Sequence, residues 1–320
     1  MVPTPWPDEV DRLIDGDLTA GLAYVTPAGG SVVTAVAPIG LRDRDRGTVG
    51  FTTSLGLSKK LERIQRDPRV ALAYHAREHG LADEPGFALI QGDASVTLEP
   101  DERYLEEELG PRAERYVGKP RRGFFWDRWL REYYADRVAV EVTVRRVTFW
   151  PDTDCGGQPR VDGEPTPVAA DPQSEPKGGT GPRVDVPRAV RRALKLPHRL
   201  LAFRGADGYP VQVPVRIGEP EAGGIVLEVP PGVVPPGGRR AGLLSHGYGP
   251  QLTGLATRQF TGWLTLDESG RALYAPHTEQ GFRAPGNKTL LLLANGLLAK
   301  RGLRKAERSG AMERLRSGAA

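Results

Sequence analysis

The sequence predicts a mostly β protein built as two small antiparallel barrel modules in tandem. Three observations carry that expectation. The first 150 residues hold five or six alternating apolar runs with turns and short helices between them, which is not the βα alternation of a parallel sheet. The stretch 151–187 holds eight prolines and six glycines and almost no apolar periodicity. After it the opening pattern returns. "LPHRLLAFRGADGYPVQVPVRIG" echoes "LTAGLAYVTPAGGSVVTAVAPIG", "AGLLSHGY" echoes "VALAYHAR", and "TRQFTGWLTL" echoes "FALIQGDASV" with Gly262 in the place of Gly92, at an offset of roughly 170–180 residues.

Taken in order, Glu9 to Ile14 reads as a short helix. "LTAGLAYVTP" and "SVVTAVAPIG" are strands joined by a Gly29-Gly30 hairpin signal. A charged loop, "RDRDRG", leads to the strand "TVGFTTS". Ser58 to Arg66 is helical with Leu61 and Ile64 on one face, and Asp67-Pro68 ends it because a residue before proline is pushed out of the helical region. "RVALAYHA" and "FALIQGDASVTLEP" are two more strands; Asp101 to Val117 and Phe124 to Ala135 read as helices, the second aromatic-rich and expected to pack in a core or between the barrels, with stacking on a ligand ring as the sharper option; Arg137 to Trp150 alternates as a long strand. The expected organisation is therefore a first module over 1–150, a linker or wrapping segment over 151–187, a second module over 188–286 and a basic helical tail over 287–320. In the second module "VPPGVVPPGGRR" stands where the first has "SLGLSKKLERIQRDP", and it cannot form a helix.

The bulk composition bounds the function. A net charge of +4 and a pI near 9.2 suit an anionic ligand without demanding nucleic acid. A single cysteine, Cys155, excludes an intrachain disulfide and suits a reducing compartment. The first residues lack the basic start and apolar core of a signal peptide. "LLLLANGLLA" is far short of the about 20 residues that a spanning helix needs. These features give the expectation of a cytoplasmic protein with no membrane span and no nucleic-acid partner. From Lys300 onward the tail carries seven Lys or Arg against two Glu, and it is read as a surface helix docked by Leu290, Leu291 and Leu298.

The stretch "FTTSLGLSKKLERIQRDPRVAL" carries the chemistry. A helix start presents free backbone N–H groups and a partial positive charge. Ser58 would cap that helix, Lys59 and Lys60 would add charge, and Gly56 would let a ligand approach the backbone. Thr52, Thr53 and Ser54 add three hydroxyls at the strand end. Together they make a phosphate cradle, with a capped surface helix as the plain alternative.

The order strand, turn, strand, Phe51, Thr53, Ser58-Lys59-Lys60, Asp67-Pro68-Arg69-Val70 and then Gly92 resembles the FMN-binding split-barrel proteins, the superfamily of pyridoxamine 5'-phosphate oxidase and the deazaflavin-dependent reductases. The resemblance covers roughly 8–150 well and 195–285 more loosely. It implies split, Greek-key-like β-barrels that pair as an internal pseudo-dimer, either as a monomer or as a homodimer. It implies that Lys59 and Lys60 hold the phosphate of FMN, or of the deazaflavin coenzyme F-420, with Ser58, Thr52 and Thr53 beside it. It also implies hydride transfer to or from a small organic substrate. His246, Arg258 and Gln259 of the second module are candidates to close the site. The chain departs from pyridoxamine 5'-phosphate oxidase where "TAVAPI" lacks that enzyme's strand Arg and Lys and "MERLRSGAA" lacks its C-terminal Arg/His signature, which argues against that activity. The alternative is a non-catalytic carrier or interaction protein binding a flavin or haem, the haem held through His246 or His277. A metal on His75 and His79 is disfavoured, because His75 ends a strand and the glutamate of a metalloprotease helix is missing.

Overall fold

The computed structural model describes residues 4–135 and 137–318, so the outermost residues of the expected first module and tail lie outside it. The first half runs α1 (Asp8–Gly16), β1 (Ala20–Val25), β2 (Ser31–Val36), β3 (Arg42–Asp43), β4 (Thr48–Ser54), α2 (Ser58–Arg66), β5 (Arg69–Tyr74) and β6 (Phe87–Thr97). It continues with α3 (Gly110–Val117), α4 (Phe124–Trp129), α5 (Arg131–Ala135), β7 (Arg137–Trp150) and β8 (Arg160–Gly163). The second half runs α6 (Val186–Ala193), β9 (His198–Arg204), β10 (Pro210–Pro214), β11 (Arg216–Glu221), β12 (Gly224–Glu228), β13 (Gly237–Gly247), β14 (Ala256–Leu266) and β15 (Ala272–Arg283). Two further helices follow, α7 (Lys288–Arg308) and α8 (Ala311–Ser317).

The strands form two antiparallel sheets. One has the order β2-β1-β5-β6-β7-β4-β3, with β8 added on β7, and the other has the order β10-β9-β13-β14-β15-β12-β11. Strand for strand these are the same topology. A bridge from Ala37 to Thr52 ties the end of β2 to β4 and curls the first sheet toward closure. The repeat extends to a defect. The β6–β7 ladder slips at Gln91/Gly92 and the β14–β15 ladder at Thr261/Gly262. At both bulges a Cβ would be driven into a carbonyl oxygen across the ladder, that of Thr143 in one and of Ala275 in the other, so glycine is required twice for one reason.

The strands facing the other half are buried on both sides, which explains why β1, "AGLAYV", lacks the polar-out alternation of a one-sided sheet. Leu22, Tyr24, Val70, Leu72, Tyr74, Ala88 and Ile90 point into the first barrel. Their neighbours Ala23, Ala71, Ala73, Phe87 and Leu89 point the other way and meet Leu200, Ala202 and Leu244 of the second barrel. Leu201, Phe203 and Leu243 fill the second barrel in turn. The alanines on this seam let the two sheets approach closely. Buried amides tie it: Gln212 Nε2 donates to the carbonyls of Gly21 (2.8 Å) and Ala71 (2.9 Å), and Gln91 Nε2 donates to that of Pro210 (2.7 Å). This is the pseudo-dimeric arrangement of two split barrels.

The 151–187 stretch runs along the fold: it contributes a strand, β8, on the outer side of β7, and its Gln173 links the Gly29 carbonyl to the Arg240 backbone N–H. Two expectations are corrected. The helix expected over Phe124 to Ala135 is two, and α4 is not a core helix: Trp129 packs on α7, while Phe124 and Phe125 stay outside. The tail does not dock through the leucines expected to hold it. Leu290 and Leu298 are exposed and Leu291 is half-buried. Gly296, Ala299 and Ala306 of α7 and Ala311 and Leu315 of α8 are buried instead. Small residues allow the α7 backbone to lie close to the barrel, and Leu315 enters the first barrel's core.

Candidate functional site

β4 delivers the hydroxyl residues because its pleat is pinned on one side by β7, with Thr53 opposite Val138 and Ser54 opposite Arg137. Thr52 and Thr53 are buried. The strand then turns into a single 3-10 turn, Leu55–Leu57, before α2 begins. That turn changes the expected capping. Ser58 is already helical (φ −47°, ψ −43°), and Leu57 stands at the N-cap of α2 without a side-chain bond. The cap is Ser54, whose Oγ accepts from the Gly56 N–H at 3.1 Å. The sequence reading of Ser58 as N-cap fails because the extra turn moves the first unpaired N–H groups back to Gly56.

The two lysines part company. Lys59 is exposed. Lys60 turns inward, its Nζ 5.9 Å from the centre of the Phe51 ring. Burial pulls its pKa down to about 8, and among the described residues no carboxylate or carbonyl receives it. The Thr53 hydroxyl of β4 is also buried, without a hydrogen-bond partner among the described residues. A third group arrives from far along the chain: Arg137 Nη1 donates to Thr52 Oγ1 at 3.3 Å, and its guanidinium lies 4.4 Å over the Tyr133 ring. An inward cation and an orphan hydroxyl near a helix start suit an anionic oxygen group.

The tail covers this place. The α7 backbone crosses the 3-10 turn so closely that a Cβ on Gly56 would lie 3.0 Å from Gly302 Cα. α8 then runs along α2, where Gln65 Nε2 donates to the Leu315 carbonyl (3.1 Å) and Arg314 pairs with Glu62 (2.8 Å).

The second-barrel candidates separate as well. Gln259 crosses the seam and donates to Thr34 Oγ1 at 2.6 Å, three residues before Ala37 and its bridge to Thr52. Arg258 is half-buried and no ion pair to it is found among the described residues. His246 does not join the cradle. It lies buried on the seam, Nε2 to Nε2 at 3.0 Å from His75, with the rings of His198 and Tyr248 centred 5.1 and 6.2 Å away. His75 and His246 occupy equivalent repeat positions, each five residues after the residue paired with its bulge glycine (Val70 with Gly92, Ala241 with Gly262). His75 Nδ1 lies 3.3 Å from the Ala73 carbonyl, so it carries the proton there and its Nε2 accepts from His246. His246 Nδ1 is then a buried acceptor with no partner among the described residues. Burial and the neighbouring rings hold both pKa values far below the ordinary imidazole value, that of His75 at about 3. His198 donates to Glu78 at 2.7 Å, and burial lowers its pKa against that carboxylate's pull. Cys155 is buried, with its thiol pKa pushed up by desolvation, which makes it a poor nucleophile.

Sequence reasoning missed Arg137 and the pairing of His75 with His246. The histidine pair was readable in the echo of "VALAYHAR" by "AGLLSHGY"; Arg137 gave no local signal, since it meets Thr52 across 85 positions.

No protein-family model matches the chain, and no curated protein matches it. Solved structures do, about half the chain at a time. One is a conserved hypothetical protein of Mycobacterium tuberculosis, at 20% identity over 47% of this chain and 87% of that one, with a TM-score of 0.35. A pyridoxamine 5'-phosphate oxidase of Listeria innocua, so described provisionally, matches at 15% identity over 45% and 98%, TM-score 0.32. An F-420 reductase matches at 20% identity over 44% and 96%, TM-score 0.32. The chain is thus similar to pyridoxamine 5'-phosphate oxidase-like and F-420 reductase structures; at these scores the likeness bears no functional argument, and the fold is read from the strand order.

Proposed function

We propose that the first barrel binds the phosphate of a flavin-type redox cofactor, FMN or the deazaflavin coenzyme, at the junction of β4 and α2, and that the chain is an oxidoreductase acting on a small organic substrate. The observation that carries the reading is the Lys60 ammonium and the Thr53 hydroxyl at the β4–α2 junction, neither with a partner among the described residues. An ammonium held in the protein without a counter-charge is costly, and an arriving phosphate dianion relieves that cost. Lys60 would neutralise the phosphate, Thr53 would donate to it, and Arg137 would hold Thr52 in place. Gln259 would shape the neighbouring wall from the second barrel. The cofactor ring, when bound, supplies the hydride chemistry, and the protein supplies binding and orientation. No residue is assigned as acid or base.

A second reading is a carrier that binds the cofactor without turnover. It is favoured by α7, which lies across the cradle through Gly302 on Gly56.

The test is equilibrium binding of FMN and, separately, of the deazaflavin coenzyme, followed by fluorescence. Lys60→Ala should weaken binding at least tenfold, about 1.4 kcal/mol. Lys59→Ala should weaken it far less. Failure of the wild type to bind either compound would end the cofactor reading, and binding without turnover in the presence of a reductant would favour the carrier.

A further inference from the structure

We infer that the face formed by α4 and the solvent side of α7 is a docking surface for an anionic lipid bilayer, which the chain touches without crossing it. The inference does not depend on the cofactor reading.

Apolar exposure is concentrated there. Twelve large hydrophobic side chains are exposed among the described residues, and seven of them lie on four adjoining pieces: the 3-10 turn, α4, α5 and α7. Phe124 is 86% exposed and Phe125 55%. Leu290 (57%), Leu297 (40%) and Leu298 (48%) continue the patch along α7, and Leu57 (55%) flanks it on the 3-10 turn. The pieces are locked together. Phe125 stacks on Trp129 at 6.1 Å, Trp129 Nε1 donates to the Leu293 carbonyl at 3.2 Å, and Lys300 Nζ sits 4.6 Å over the Trp129 ring. This anchors α4 beside the exposed stripe of α7. Clustered apolar exposure of this kind marks an interaction surface, whereas scattered single residues would not.

The charge on the same face names the partner. Helical periodicity puts Leu290, Leu297, Arg301, Arg304 and Arg308 on one side of α7. Arg301, Arg304, Lys305 and Arg308 line a groove of about 410 Å³, and no carboxylate pairs with any of the four among the described residues. Lys119, Arg121 and Arg122 stand exposed just before Phe124. The face is therefore an apolar centre with cations at both ends. Aromatic and leucine side chains enter the acyl boundary while Lys and Arg heads stay among lipid phosphates. A second copy of the chain fits poorly, because a two-fold contact would bring the same unpaired cations together. Nucleic acid would use the cations and could stack on the phenylalanines, but it gives the leucines no partner.

Co-sedimentation of the full chain with vesicles tests the inference, using phosphatidylcholine alone and phosphatidylcholine mixed with phosphatidylserine, at low and high salt. The wild type should pellet with the mixed vesicles at low salt and be released by salt. Replacing Arg301, Arg304, Lys305 and Arg308 by Gln together should weaken partitioning on the order of a thousandfold. Phe124→Ser with Phe125→Ser should also weaken it, at an unchanged salt slope. Circular dichroism shows whether each variant is folded, and the phenylalanine pair, being outside the core, stands in if the charge variant is not. Wild type that stays in the supernatant at low salt overturns the inference. So does binding by both variants equal to that of the wild type, tighter binding to a single-stranded oligonucleotide than to vesicles, or a dimer in light scattering that Phe124→Ser abolishes.

Discussion

The two barrels share a strand order, a glycine bulge and a seam histidine, yet they differ at every connection near the candidate site. Between β4 and β5 the first barrel inserts the 3-10 turn and α2; between β12 and β13 the second has only a Pro/Gly turn. Between β6 and β7 the first inserts a π-helical stretch, α3, α4 and α5; between β14 and β15 the second has a short turn. What is common is what closes the barrels and packs them together. What is private to the first barrel includes α2, which carries Lys60. The comparison separates residues that hold the framework from residues at the candidate site, and it leaves the second barrel without a counterpart of the β4–α2 junction.

The largest effect should come from the shared bulge. Gly92→Ala and Gly262→Ala each force a Cβ against a ladder carbonyl, so each should cost on the order of 3 kcal/mol. Urea melts that show a loss at one site only would break the equivalence of the two barrels.

The seam should show next, in acid. His75 has an ordinary pKa of 6.5 unfolded and about 3 folded. The unfolded chain therefore binds protons that the folded chain refuses, and stability falls as pH drops from 6.5 toward 3. His246→Leu removes one of the two groups, so its melting temperature should fall less steeply than wild type between those limits; parallel acid limbs would show that the pair does not titrate with unfolding.

A smaller effect, of opposite sign, separates site from framework. The Lys60 pKa is about 8 folded against 10.5 for the free side chain, so a stability deficit is fully present below pH 8 and is relieved as pH rises toward 10.5. Lys60→Met should stabilise the ligand-free protein at neutral pH by on the order of 1–2 kcal/mol while removing the phosphate contact. Destabilisation in a thermal melt would mean Lys60 belongs to the framework. The smallest effect is the cap: Ser54→Ala should cost about 1 kcal/mol, and the same exchange at Ser58 much less. Equal losses in denaturant melts would return the capping role to Ser58.

Much of the framework was legible. Alternating apolar runs and their recurrence past the Pro/Gly stretch report directly on strands and on duplication, because burial in a sheet is periodic and local. The junction of β4 and α2 was half legible. The motif located β4 and α2, but not which lysine points inward. The signal existed, since Lys60 stacks four residues before Ile64 and beside Leu61, on the buried side of α2. The extra turn that moved the cap, the arrival of Arg137 and the choice of small residues for docking α7 depend on packing between distant segments, which no local pattern records.

The seam histidines carry a consequence for why two barrels are fused. In a dimer of identical chains, equivalent histidines meeting on a two-fold axis would share one proton between two positions of equal energy, and neither protomer could own it. Here the Ala73 carbonyl stands at His75 Nδ1, while His246 Nδ1 faces no donor. The proton has one address. Joining the barrels in one chain lets the two halves drift apart in sequence, so a degenerate contact becomes a polarised one with a fixed direction along the molecule.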